Sequence, residues 1–265
     1  MPTAKELFDA GQLQAAIEEL TREVKANPAD ASRRTFLFAL LCFAGEWDRA
    51  DKQLDVIGHQ SAKAEIGALM YRNCLKAERA RRQLFSEGLM PNFLVEPPGY
   101  IGVHLQAIDR IREGDFDQAR QLLERAEEER PALAGTFNGQ AFEDFRDSDD
   151  LAGPALELIV QDRYIWLPFE QISRIEFEPP QHLRDLIWAV ARVEAENING
   201  EVFVPVLYED SCRHADDRIR LGRMTDWRLL GEGLNRAAGS RLFLVNGEDQ
   251  PMLEARTIEF VRAEA

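Results

Sequence analysis

Three glycines constrain this chain most: Gly11, Gly45 and Gly114. The first two are 34 residues apart, and the second and third are 69 apart, close to two such periods. Two residues after each stands a large apolar side chain (Leu13, Trp47, Phe116), and five after stands an alanine (Ala16, Ala50, Ala119). Nine after stands a leucine (Leu20, Leu54, Leu123), and seventeen after the first and last glycine stands a proline (Pro28, Pro131). Glycine permits a tight turn between two helices. Alanine lets the paired helices approach closely, and proline ends the second one. The spacing therefore predicts helical hairpins over the first half of the chain.

A period of 34 residues resembles the tetratricopeptide repeat. The array departs from that pattern in two places. Phe38 stands where a small residue is usual, and the slot between Gly45 and Gly114 holds a long helical run, Ala62 to Phe85, with no matching glycine. About two and a half repeats are expected. GLMPNFLVEPPGYIG, Gly88 to Gly102, reads as a loop from its prolines and framing glycines, and its apolar side chains are expected to pack over the helices.

Helical periodicity fades after Pro131. Phe137 to Asp150, acidic and dotted with phenylalanine, reads as a connector, which places a helical domain at residues 1–135 and a strand-rich one at 136–265. Candidate strands are Ala155–Val160, Tyr164–Leu167, Arg174–Phe177, Ala189–Glu194, Glu201–Val206, Arg241–Val245 and Met252–Val261. Gln161 to Arg163 and Asn197 to Gly200 read as hairpin turns. Glu178-Pro179-Pro180 fixes a corner, because two prolines neither feed a ladder nor continue a helix. After it, Leu183 to Trp188 reads as a short helical turn or an extended lead into the next strand. The fold class is α+β, with tetratricopeptide-like hairpins followed by a mostly antiparallel sheet or partly open barrel.

Composition excludes several classes of function. The 47 acidic against 32 basic side chains give a net charge of -15, which opposes binding to nucleic acid or anionic membrane. No stretch approaches the length of a membrane span, and the N-terminal residues do not read as a signal peptide, so a cytoplasmic protein is expected. The three cysteines, Cys42, Cys74 and Cys212, are spaced too widely to imply a disulfide framework or a zinc site.

Catalytic motifs are not found. His59, His104, His182 and His214 lie in no nucleophile elbow or zinc-binding helix, and there is no phosphate-binding loop. The adjacent pairs Asp149-Asp150 and Asp216-Asp217 read as solvated loop charge. Asp210 to Asp217 has metal-capable side chains without the spacing of a zinc or calcium loop. Gly231 and Gly233 read as a flexible connector. Arg223, Asp226 and Trp227 read as a polar cluster in which a guanidinium stacks on an indole. Neither metal nor cofactor is expected. An enzyme using Arg184, Asp185 and Asp226 is the minor alternative.

The segments PFEQISRIEFEPPQHLRDLIW, EVFVPVLY and LGRMTDW, following a short tetratricopeptide-like half, resemble the ImpE family over nearly the whole chain. That resemblance implies a non-enzymatic accessory protein of bacterial type VI secretion. It implies binding to the N-terminal helix of the small sheath subunit and, through it, a link to the hexameric ATPase that recycles contracted sheath. A chaperone or assembly factor for another complex is the alternative. On chemistry alone, Phe177, Trp188, Tyr208 and Trp227 are aromatics of the kind that anchor interfaces, and Arg184 and Arg223 suit acidic partners.

Overall fold

The computed structural model describes residues 2–231 and 233–261. Three helical hairpins occur where the glycines place them. Helix α1 (Ala4–Asp9) turns into α2 (Leu13–Ala26), and α3 (Ala31–Phe43) turns into α4 (Trp47–Gly58). After α5 (Ala62–Glu87), α6 (Gly99–Glu113) turns into α7 (Phe116–Glu129). The turn glycines Gly11, Gly45 and Gly114 have φ of 75°, 69° and 82°, a region that an L side chain enters only at a cost. A Cβ on Gly45 would also lie 2.7 Å from Cys212 Sγ, so that turn is closed from outside as well. Ala16, Ala50 and Ala119 are fully buried, as close helix pairing requires.

Helix α5 is the exception to the repeat. It runs 26 residues without a hairpin partner, starting at Ser61, whose hydroxyl accepts from the Ala64 amide, and ending at Gly88 in the left-handed region. It packs both on α4 and on a strand of the sheet. The following loop is shorter than expected, because Gly99 and Gly102 lie in α6. Its centre is stitched to the sheet. The Asn92 amide donates to Tyr164 O at 3.2 Å, and Asn92 O accepts from the Trp166 amide at 3.0 Å. Leu89 and Met90 remain exposed.

The strands are β1 (Gly135–Phe137), β2 (Gln140–Phe142), β3 (Phe145–Asp147), β4 (Ala155–Val160), β5 (Arg163–Pro168), β6 (Ile172–Phe177) and β7 (Trp188–Ala195). They continue with β8 (Ile198–Pro205), β9 (Thr225–Leu229), β10 (Asn235–Gly239), β11 (Leu242–Val245), β12 (Glu248–Pro251) and β13 (Thr257–Phe260). A four-residue helix α8 (Asp217–Arg220) precedes β9. Eight strands form one antiparallel sheet in the order β2-β1-β13-β6-β7-β8-β4-β5. Strands β12-β11-β3 form a second sheet, and β9 and β10 form a hairpin.

Period-two alternation divides the large sheet into two faces. Tyr164, Trp166, Ile159 and Trp188 join the apolar cluster of the helices. Leu156, Leu158, Ile165, Leu167, Val193 and Val204 face Phe145, Phe243 and Met252 on the other side. The molecule is thus helices, large sheet and small sheet in three layers. In the outer core, the Phe145 ring lies 5.0 Å from Phe169, 5.1 Å from Phe243 and 5.2 Å from Phe260.

Two sequence expectations need correction. Phe137 to Asp150 is not a connector between two parts: it holds the end of β1, then β2 and β3, turning at Asn138-Gly139, where both residues have positive φ. Gly231 and Gly233 do lie in a connector, the one between β9 and β10, whose ladder begins at Leu229 opposite Asn235. Met252–Val261 is interrupted by a 3-10 turn at Met252–Glu254 before β13.

Candidate functional site

The strongest electrostatics lie inside the molecule, between its layers. Arg81 on α5 grips Glu157 on β4 with two parallel bonds, Nε to Oε1 at 2.7 Å and Nη2 to Oε2 at 2.8 Å. Glu157 also accepts from the Tyr164 hydroxyl and from Arg241 Nη2. Arg241 Nη1 then reaches Asp147 Oδ2 on β3 at 2.5 Å, and its Nε donates to Pro205 O at 3.1 Å. At the helical end, Glu78 lies beside Arg81 and accepts from Trp188 Nε1 at 2.9 Å. Glu78, Arg81, Glu157, Arg241 and Asp147 are all buried.

This ladder satisfies its own members. Burial pushes Glu157 up, but the Arg81 and Arg241 guanidiniums and the Tyr164 hydroxyl outweigh it and hold the carboxyl well below the usual range. Burial raises Asp147, against the pull of Arg241. The adjoining cavity, lined in part by Glu78, Arg81 and Trp188, is only about 30 Å³. The arrangement pins three layers together and leaves no room for a substrate among its charges.

Asp149 is corrected from solvated charge to buried clamp. Its carboxylate accepts from the amides of Leu151 (2.7 Å), Ala152 (3.2 Å) and Ala237 (2.6 Å), tying β10 to the turn after β3. Burial and the neighbouring Asp147 push it up to about 7. Asp150 pairs with Arg146 at 3.2 Å. Asp217, of the other pair, accepts from the Leu13 amide at 2.7 Å and so caps α2 from across the chain.

His104 on α6 is buried, with Nε2 2.9 Å from Leu151 O, which makes Nε2 the protonated nitrogen. Burial lowers its pKa to about 4. The folded value lies below the ordinary 6.5, so on acidification the unfolded chain binds the proton first. The contribution is complete above pH 6.5 and is lost as the pH falls to about 4, by about 3 kcal/mol. Asp149 acts in the opposite sense over an overlapping range. The His104 contribution is therefore read as the difference in urea midpoint between wild type and His104→Gln. The gap in favour of wild type is expected to close between pH 6.5 and 4; a pH-independent gap would contradict it.

The six residues singled out from the sequence separate by environment. Phe177 is interior, its ring 6.4 Å from Phe243. Trp188 is 1 % exposed and stacks among Phe38 (6.4 Å) and Tyr71 (6.0 Å). Tyr208 is buried, and its hydroxyl donates to Asp147 at 3.0 Å. These three present no surface to a partner, because their aromatic area is spent on the cores. Arg223 stacks not on Trp227 but over the Phe8 ring at 5.0 Å, and it donates to the carbonyls of Phe8 (2.6 Å) and Asp9 (2.9 Å). It thereby caps the end of α1. Asp226 pairs with His214 at 3.0 Å. Trp227 is 38 % exposed on β9, near exposed Leu229 and Met224 in sequence.

Arg184 borders a surface cleft. One wall is the first two turns of α3, with Ala31, Ser32, Thr35, Phe36, Phe38 and Ala39, and the other is Gln181–Arg184. The volume is about 550 Å³. The second wall is rigid: Asp185 accepts from the amides of Gln181 (2.9 Å) and His182 (2.8 Å), locking the 3-10 turn Leu183–Leu186 after the two prolines. Sequence reasoning found Arg184 but not the α3 wall, which is about 150 residues away along the chain. Among the described residues no group of three or more His, Cys, Asp or Glu side chains is placed to hold a metal, and no helix is long and apolar enough to cross a membrane.

Fold and surface define an α+β protein in which a short helical-hairpin array is welded to one face of an antiparallel sheet. Residues 139–259 match the family model described as ImpE protein. The type VI secretion system accessory component TagJ of Pseudomonas aeruginosa is 36 % identical over 263 residues, covering 99 % of this chain and 92 % of that protein. The chain belongs to the ImpE family, as the three C-terminal motifs led us to expect. The crystal structure of a Vibrio parahaemolyticus protein has the same fold, with a TM-score of 0.90 and 27 % identity over 98 % of both chains.

Proposed function

We propose that this chain is a non-enzymatic adaptor of a type VI secretion machine. In this reading it works in the cytoplasm, binds the N-terminal helix of the small sheath subunit, and links that subunit to the hexameric sheath-recycling ATPase. The observation that carries the reading is full-length similarity to TagJ, an accessory component of such a system. The internal saturation of the buried charges also favours binding over catalysis, since perturbed groups serve chemistry only where a substrate reaches them. The helical part, 1–135, and the strand-rich part, 136–265, act here as one body, joined by the ladder, by Asp217 capping α2 and by Arg223 capping α1.

Affinity purification from a strain that carries the secretion locus tests the reading. Recovery of the small sheath subunit, and its loss when that subunit lacks its N-terminal helix, is the expected result. Failure to recover it with soluble bait in excess would refute the adaptor.

A further inference from the structure

We propose that the partner helix lies in the cleft between α3 and the Leu183–Leu186 turn, and that a carboxylate of that helix pairs with Arg184. This inference rests on the adaptor reading above and specifies its contact surface. The chain carries 47 acidic side chains, and clefts elsewhere on its surface hold their share. The one beside Trp47 has Glu46 and Asp48, the one between α4 and α5 has Asp55 and Glu65, and the one along α7 has four carboxylates. Among the described residues the α3 cleft is lined by no carboxylate, and Arg184 stands at its edge.

That arginine also differs from its neighbours in its partners. Neighbouring guanidiniums are engaged: Arg72 with Asp51 at 2.9 Å and Arg79 with Asp48 at 2.8 Å. Arg184 has no carboxylate within ion-pair distance among the described residues, and its buried Nε makes no hydrogen bond. Asp185, next in sequence, is occupied by two backbone amides. The guanidinium is oriented by the Tyr71 ring, 5.2 Å away. The guanidinium thus holds a positive charge without an ionic partner at the edge of the cleft, on a plane fixed by Tyr71, and a carboxylate of the occupant neutralises that charge. The half-exposed Phe36 and the methyl groups of α3 supply the apolar floor against which an amphipathic helix lays its stripe. The occupant is therefore an amphipathic helix with an Asp or Glu at the border of its apolar face.

Calorimetric titration with a synthetic peptide of the small sheath subunit's N-terminal helix tests the assignment. Arg184→Glu is expected to weaken binding at least about tenfold, and Arg184→Lys by less, since lysine keeps charge but not the fork. Ser32→Trp, at an exposed position on the opposite wall, is expected to abolish binding by filling the cleft. Peptides with each acidic residue changed in turn to arginine should include one that restores affinity for Arg184→Glu. Arg184 also packs on the Tyr71 ring, so the thermal midpoint of each variant is measured alongside and binding is compared at a temperature where all are folded. Peptide binding within twofold of wild type in both Arg184→Glu and Ser32→Trp would overturn the cleft and leave the adaptor standing. No binding to wild type would refute both.

Discussion

Arg241→Ala is expected to destabilise the protein by about 3–5 kcal/mol, the usual effect of removing one partner from a buried ion pair. Arg241 is fully buried and bonds Asp147 and Glu157 on two strands, with Tyr208 and Tyr164 attached to the same acids. Removing it strands two carboxylates without enough positive charge, and Arg81 reaches only Glu157. Domains of ordinary stability retain about 5–15 kcal/mol, so the variant should lie near the unfolding threshold. Urea denaturation checks this, with Arg125→Ala as the control, since its pair with Glu129 is exposed and contributes little. An Arg241→Ala midpoint equal to that of the control would show that the ladder is not a staple.

Trp188→Ala is expected to cost about 3–5 kcal/mol for a different reason. The indole fills the space between α3, α5 and the sheet, against Phe38 and Tyr71. Its Nε1 also donates to Glu78 Oε1, so truncation adds to the cavity a buried carboxylate oxygen that has lost its donor, with only Arg81 at 3.4 Å left to that acid. Trp188→Phe keeps most of the packing and loses only the donor, and should fall between the two. Binding of the sheath peptide by Trp188→Phe, measured where that variant remains folded, is expected to match wild type. A variant as stable as wild type would contradict the account of Trp188 as a keystone of the inner core.

Much of the fold was legible because its causes are local. A glycine turn, a buried alanine five residues on and a terminating proline act within one helical pair, so their spacing survives as a readable period. Strands β4 to β8 were legible through their apolar runs. The short edge strands were not, because β2 and β12 expose most of their side chains. Asn138-Gly139 and Asn246-Gly247 nevertheless carried a hairpin signal, both residues of each pair adopting the positive φ that such turns need.

The site was less legible because its parts are distant in sequence. Arg81 and Glu157 are 76 residues apart, and Glu157 and Arg241 are 84 apart. Charged residues at such separations look like any others in a chain that is 30 % charged. Aromatics were equally ambiguous: Trp188 and Trp227 share a residue type, yet one is a core side chain and the other lies at the surface. A cue for Trp188 lay in its neighbours, with Ile187 before it and the apolar alternation of β7 after it.

Whether this molecule binds a helix is read from calorimetric titration over a range of temperatures. With the purified full chain and the synthetic N-terminal helix of the small sheath subunit, we predict saturable binding with a negative heat-capacity change, the mark of apolar burial. Absence of heat and of competition at high micromolar peptide, with the protein folded and the peptide soluble, would contradict the account.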